Sequence, residues 1–288
     1  MARNSKQPSL NSRSACPGFY ISSHFFARLL ALAFFLSSLA LADESLITLA
    51  SPRGTGITQS YLWTSETASP KTIYLLFPGY PSVLNLRKNV EGEVQFALGG
   101  NFLIRNRALF AGVDSAAASM DAPSDERRSF EDGFRTTLAP AQDIGAAIDD
   151  MKQRFPQARV VVVGNSASTT GVAYLAKNLA NKVDALVLTA TITNANFRTG
   201  KWGLGRFDFG AIKQPLLFVH HQYDACSHSP YRGVANLGYP LITVIGQDPP
   251  QSDACQAHSA HGFWGRDAQV VQAIRAWVQG EPYPHQIE

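Results

Sequence analysis

The stretch "VVVVGNSASTTG", Val160–Gly171, sets four β-branched residues directly before Gly164-Asn165-Ser166-Ala167-Ser168. An apolar run with no polar face reads as a strand buried on both sides, as in a parallel sheet covered by helices. The residues that follow, "STTGVAYLAKNLAN", carry a helical pattern. A buried strand that passes into a helix through small polar residues has two readings. It is an ordinary core turn, or it is a corner that displays Ser166 as a nucleophile.

Outward from this stretch, short apolar runs alternate with longer helical patterns. Strands are expected at Ser45–Ala50, Ile57–Trp63, Thr72–Phe77, Ser115–Met120, Arg159–Gly164, Ala185–Ala190, Pro215–His220 and Leu241–Ile245. Helices are expected at Ala139–Phe155, after Ser166, and at Asp267–Gly280. The first of these places Ile144, Ala147, Ile148 and Met151 on one face. The alternation implies βαβ units and a doubly wound α/β domain, a mostly parallel sheet of about eight strands with helices on both faces. The first two strands, joined by "SPRGTG", read as an antiparallel hairpin at the sheet edge. Two segments exceed what a connector needs, Ser82–Arg107 and Thr191–Gln214. The second carries Phe197, Trp202, Phe207 and Phe209, which either line a pocket mouth or pack as a satellite cluster.

A nucleophile elbow turns tightly, so the positions two before and two after its serine are small. Here they are Gly164 and Ser168, giving G-x-S-x-S in place of G-x-S-x-G. A serine hydroxyl needs a base to take its proton, and the base needs an acid to fix its tautomer. An elbow of this kind predicts the chain order serine, acid, histidine. Asp224 follows the seventh expected strand, and His261 precedes the last helix, both outside the carboxyl ends of strands where ligands bind in open α/β sheets. His258 competes with His261, which abuts the final helix. Asp248 and Asp253 follow the eighth strand and are second choices for the acid. Oxyanion donors are expected from the Ala167 N–H and from the loop after the third strand, where "LLFPGYPS" places Gly79 and Tyr80; a plain Pro-Gly turn accounts for the same residues. His220, His221, Asp224 and His228 lie close in sequence. Neighbouring strand residues point to opposite faces, however, so they do not read as a metal site.

Only 16% of the 288 residues are charged and 45% are hydrophobic, against roughly 25% charged in an average domain. The chain is therefore apolar enough to bury a large core. Residues 1–42 form a basic, acid-free stretch followed by "LLALAFFLSSLALA", 14 residues from Leu29 to Ala42. That run suits a signal-peptide core better than a membrane span, and Ala40-Leu41-Ala42 supplies a small-x-small cleavage pattern. Residues 43–288 are then the mature domain, exported to a periplasmic or extracellular space with no stable membrane anchor. The net charge of +3 falls to about −1 once Arg3, Lys6, Arg13 and Arg28 leave, which removes any basic surplus pointing to nucleic acid. Cys16 leaves as well. The two cysteines that stay, Cys226 and Cys255, are expected to pair, tying the Asp224 loop to the His261 loop.

Taken in order, strand–"PGYPS", strand–"GNSAS"–helix, strand–"HHQYDAC" and "AHGFWG"–helix resemble the α/β-hydrolase superfamily over nearly all of residues 43–288. "NFLIRNR" (Asn101–Arg107), "DAPSD" (Asp121–Asp125) and Asp224-Ala225-Cys226 resemble a group of exported bacterial members. The resemblance implies Ser166 as nucleophile, His261 as base, Asp224 as orienting acid, and Ala167 with Gly79 or Tyr80 as oxyanion donors. The implied activity is hydrolysis of a small or surface-accessible ester, or of a related thioester or amide. Two other readings stand beside it: a secreted binding protein that keeps the fold without the chemistry, and an acyltransferase using the same triad. The chain has no G-x-G-x-x-G after a strand and no G-x-x-x-x-G-K-[ST], so no cofactor is expected.

Overall fold

A computed structural model of the chain describes residues 42–127, 131–195 and 203–288. The expected signal segment (but for Ala42), Cys16, Phe197 and Trp202 lie outside the described residues.

The strands are β1 (Asp43–Ala50), β2 (Thr58–Ser65), β3 (Thr72–Phe77), β4 (Arg87–Lys88), β5 (Val94–Gln95), β6 (Ser115–Met120), β7 (Arg159–Asn165), β8 (Ala185–Thr189), β9 (Leu216–His221), β10 (Leu241–Val244) and β11 (Gln286–Ile287). The helices are α1 (Phe102–Arg105), α2 (Arg107–Phe110), α3 (Asp132–Arg135), α4 (Ala139–Arg154), α5 (Ser168–Asn178), α6 (Arg232–Ala235) and α7 (Asp267–Gln279). Nine strands form one sheet in the order β1-β2-β6-β3-β7-β8-β9-β10-β11. The β1–β2 and β2–β6 pairs are antiparallel, and every pair from β6 to β11 is parallel. All eight expected strands are present. The ninth, β11, and the separate β4–β5 hairpin are two-residue pairings too short to show a period.

The valine run explains why both faces are covered. Val160 and Val162 join one apolar cluster, while Val161 and Val163 join the other, the period-two alternation of a strand. The same division runs through β3, β8 and β9. α4 and α5 cover the first face, and α1, α2 and α7 cover the second. Each fully buried valine contributes roughly 1.5–3 kcal/mol relative to exposure, so β7 is an anchor for whatever hangs from its end. Among the described residues, no helix is long and apolar enough to cross a membrane.

The strand order also places the site. The chain leaves β3 for β6 on one side, then crosses back to β7 on the other. A crevice opens outside the carboxyl ends of neighbouring strands at such a reversal. Gly79 follows β3 and Ser166 follows β7, so the two loops meet there. Of the aromatics in the long segment after β8, Phe207 meets Tyr174 at a tilt and Phe209 edge-on, and Phe209 packs on Phe218 and Tyr239. Phe209 belongs to the first apolar cluster and Phe207 packs against it, so these two extend the core and do not line the crevice.

Candidate active site

Ser166 adopts a left-handed backbone, φ 54°, which a side chain rarely takes and which costs on the order of 1–3 kcal/mol. The turn is held from several directions. The Ser166 N–H donates to Thr189 O at 3.0 Å, and Ser166 O accepts from the Thr169 N–H at 2.9 Å. The Thr169 hydroxyl donates to the same carbonyl at 2.6 Å and accepts from the Ile192 N–H at 3.1 Å.

Gly164 is needed because a Cβ there would sit 2.4 Å from Val172 Cγ2. Ser168, the departure from G-x-S-x-G, is accommodated by its hydroxyl. That group donates to Pro78 O and lies 3.0 Å from Ser82 Oγ. Arg135, itself buried, donates to Ala167 O at 2.6 Å and to Ser82 Oγ at 2.9 Å. Burial pushes its guanidinium down to about 10, which leaves it charged at neutral pH. The elbow is thus fastened to the loop after β3 by hydroxyls and one cation.

The structure brings Ser166, His261 and Asp224 together. Ser166 Oγ donates to His261 Nε2 at 2.8 Å, and His261 Nδ1 donates to Asp224 Oδ2 at 2.9 Å. The carboxylate on one side and the hydroxyl on the other fix the imidazole tautomer. The Asp224 side chain has no exposed surface. Burial raises its pKa, but bonds from His261, the Cys226 N–H (2.9 Å) and Ser229 Oγ (2.8 Å) outweigh that and hold it below its ordinary value. The competing residues lie elsewhere. His258 packs at a tilt against Trp264, and Asp248 pairs with Arg266. His220 donates to Ser229 O at 2.7 Å and His221 to Gly246 O at 3.2 Å, so the two adjacent imidazoles have separate partners.

Gly79 lies against the serine. A Cβ built on it would be 3.2 Å from Ser166 Cβ and 3.3 Å from both Asn101 Nδ2 and Asn165 Oδ1. Ser166, Ala167, Gly79, Tyr80 and His261 all line one cavity of about 430 Å³, within the size range of small-molecule sites. Tyr80 is largely exposed at its rim. Cys226 and Cys255 form a disulfide in the same wall. A second groove, about 410 Å³ between α7 and the C-terminal tail, contains no nucleophile with a base. Ser229, Asn101, Asn165, Arg105 and Arg135 are site residues that reading the sequence missed. Asn101 and Arg105 fall in the segment Asn101–Arg107 that resembled exported hydrolases, a signal without an assigned role. Nothing in the sequence pointed to Ser229 or Arg135.

No protein-family model matches the chain, and no curated protein matches it. Among solved structures it is similar to an α/β serine hydrolase without a lid from Xanthomonas campestris, at 14% identity and TM-score 0.51 over 82% of this chain and 95% of that one. It is also similar to a cold-adapted esterase from an Arctic intertidal metagenomic library, at 16% identity and TM-score 0.50 over 80% and 94%. Acylaminoacyl peptidase of Pyrococcus horikoshii gives 12% identity and TM-score 0.52 over 84% of this chain but 42% of that longer protein. At such identities the likeness is one of architecture. Sheet order, helix placement and these neighbours together identify the fold as that of the α/β hydrolases.

Proposed function

We propose that the chain is a serine hydrolase that cleaves a carboxylic ester, or a related thioester or amide, through an acyl-enzyme. One observation carries the reading. A serine in a strained turn at the end of a buried strand lies 2.8 Å from an imidazole that is itself bonded to a buried carboxylate. Ser166 Oγ attacks the substrate carbonyl carbon as its proton passes to His261 Nε2. Asp224 stabilises the imidazolium and keeps it turned toward the serine. The carbonyl oxygen gathers negative charge and accepts from the Ala167 N–H and from that of Gly79 or Tyr80, at the N-terminal end of α5. Each such donor is worth roughly 3–4 kcal/mol in the transition state. Collapse expels the leaving group, which takes the proton from His261 Nε2. Water then repeats the sequence and releases the acid.

The cavity supports a short acyl group over a long one. Among the described residues its wall mixes glycine backbone and polar side chains with short aliphatic ones, and Leu98 and Ile192 are the largest aliphatic members. We further place the protein in an oxidising compartment after loss of residues 1–42. The apolar run before Asp43 and the Cys226–Cys255 disulfide support that placement.

A fluorophosphonate probe tests the central reading. Wild-type protein is expected to label on Ser166 alone, located by mass spectrometry, while Ser166→Ala stays folded and unlabelled. It should also lose ester hydrolysis down to the residual rate that oxyanion donors alone provide. A folded wild-type protein that neither labels nor hydrolyses short esters would overturn the reading in favour of a binding protein on the same fold.

A further inference from the structure

The bond-making steps of the proposed reaction do not use the segment Asn101–Arg107, yet its α1 touches both halves of the site. At its start, the orientation of the Asn101 amide is fixed. Oδ1 accepts from the Leu103 N–H at 3.1 Å, so Nδ2 is the donor, and it reaches Asn165 Oδ1 at 2.9 Å. Asn165, the neighbour of Ser166, passes its own Nδ2 to Thr189 Oγ1 at 3.1 Å, and that hydroxyl bonds Gly164 O at 3.1 Å. The serine's turn therefore leans on the first residue of this segment.

At the other end, the Arg105 guanidinium gathers the loop that carries the histidine. It donates to Gly262 O at 2.7 Å, to Ala257 O at 3.2 Å and to Gly100 O at 2.7 Å. Its Nε bonds Asp267 at 2.6 Å, at the start of α7. Gly262 directly follows His261, and a Cβ on it would lie 1.9 Å from Ala257 O. The loop 257–262 is thus folded back on itself, with two of its carbonyls converging on one cation. Carbonyl oxygens so placed repel one another unless a multivalent donor sits between them, and the planar fork of arginine supplies such a donor where lysine supplies a point charge.

We propose that Arg105 is a positioning residue that sets His261 at bonding distance from Ser166, with α1 acting as a strap between the elbow and the histidine loop. This rests on the reading of Ser166, His261 and Asp224 as a hydrolytic triad. Asn106 supplies the internal control. It donates to Phe102 O at 2.8 Å and to the same Asp267 at 2.5 Å but has no bond to the histidine loop.

The test compares Arg105→Ala, Arg105→Lys and Asn106→Ala with wild type by fluorophosphonate labelling rate at Ser166. In parallel, nitrogen-15 histidine spectra follow the His261 Nδ1–H bonded to Asp224. Arg105→Ala is expected to label about 10- to 100-fold more slowly, the cost of a small misplacement of a reacting group, and to broaden or lose that resonance. Arg105→Lys should recover part of the rate and serves in its place if the alanine variant does not fold. Asn106→Ala should melt earlier yet label at the wild-type rate. Labelling at the wild-type rate with an unchanged His261 resonance in both Arg105 variants would overturn the proposal. Equal slowing in Asn106→Ala would do the same, because helix stability would then account for the effect. If wild-type protein does not label at all, the triad reading falls, whereas loss of the His261 resonance in the Arg105 variants would still support the strap.

Discussion

His220 sits behind Asp224 of the proposed triad, and its two ring nitrogens meet different surroundings. Nε2 donates to Ser229 O at 2.7 Å and lies 3.6 Å from Asp224, whereas Nδ1 has no hydrogen-bond partner among the described residues. Protonation would bury a second N–H without an acceptor. Burial accordingly pushes its pKa from 6.5 down to about 4, against the pull of the Asp224 carboxylate and with His261 and His221 adding repulsion. Between those two values the unfolded chain binds a proton that the folded protein refuses, so stability rises with pH across that window. The contribution is complete above pH 6.5 and is lost as pH falls toward 4. Urea melts across this range are expected to show a loss of up to about 3 kcal/mol from this group, at roughly 1.4 kcal/mol for each tenfold difference in proton affinity between the folded and unfolded chain. His220→Gln keeps a donor for Ser229 O and removes the titration, so its pH slope should be shallower. An unchanged slope would assign the acid sensitivity to other groups.

The β7–α5 elbow shows how one missing carbon fixes the relation between two elements. A Cβ on Gly164 would meet Val172 Cγ2 at 2.4 Å and Thr169 Cα at 3.3 Å. Both contacts lie on α5, so the helix itself must shift. Gly164→Ala is expected to cost about 1–3 kcal/mol by overpacking and to slow labelling of Ser166, whose carbonyl that same helix holds through Thr169. Thermal melts beside the labelling rate check this; a variant with wild-type melting would show that α5 has slack at this point. The elbow was legible from the sequence because local signals coincide there: a two-faced apolar run, small residues at the corner and a helical period after it. Asp224 and His261 were legible for a different reason, since the fold restricts which strand ends can present an acid and a base. Asn101 and Arg105 were not, because their partners are 64 and 157 residues away, and spacing along a chain does not reveal a bond of that span. The β4–β5 hairpin and β11 escaped because a two-residue strand carries no alternation.

At the scale of the whole molecule, the acid loop and the histidine loop emerge from different strand ends, and two ties hold the histidine loop, one to the acid loop and one to α1. The Cys226–Cys255 disulfide closes a span of 29 residues, and Arg105 holds Gly262 O and Ala257 O from α1. These ties act on different states of the chain. Closing a loop of this length removes entropy from the unfolded ensemble worth roughly 3–4 kcal/mol, whereas the arginine acts on the folded geometry. The double variant Cys226→Ser/Cys255→Ser is therefore expected to melt about 10 °C lower, at 2–4 °C per kcal/mol for a domain of this size. Its labelling rate at about 25 °C, where it is still folded, should stay within about threefold of wild type, less than about 1 kcal/mol in barrier. Adding Arg105→Ala to that background removes both ties. Labelling should then fall by more than the product of the two separate effects, as expected for residues that restrain the same loop. A disulfide variant that melts as wild type but labels slowly would invert this division, making the bridge the positioning device and leaving stability to the core.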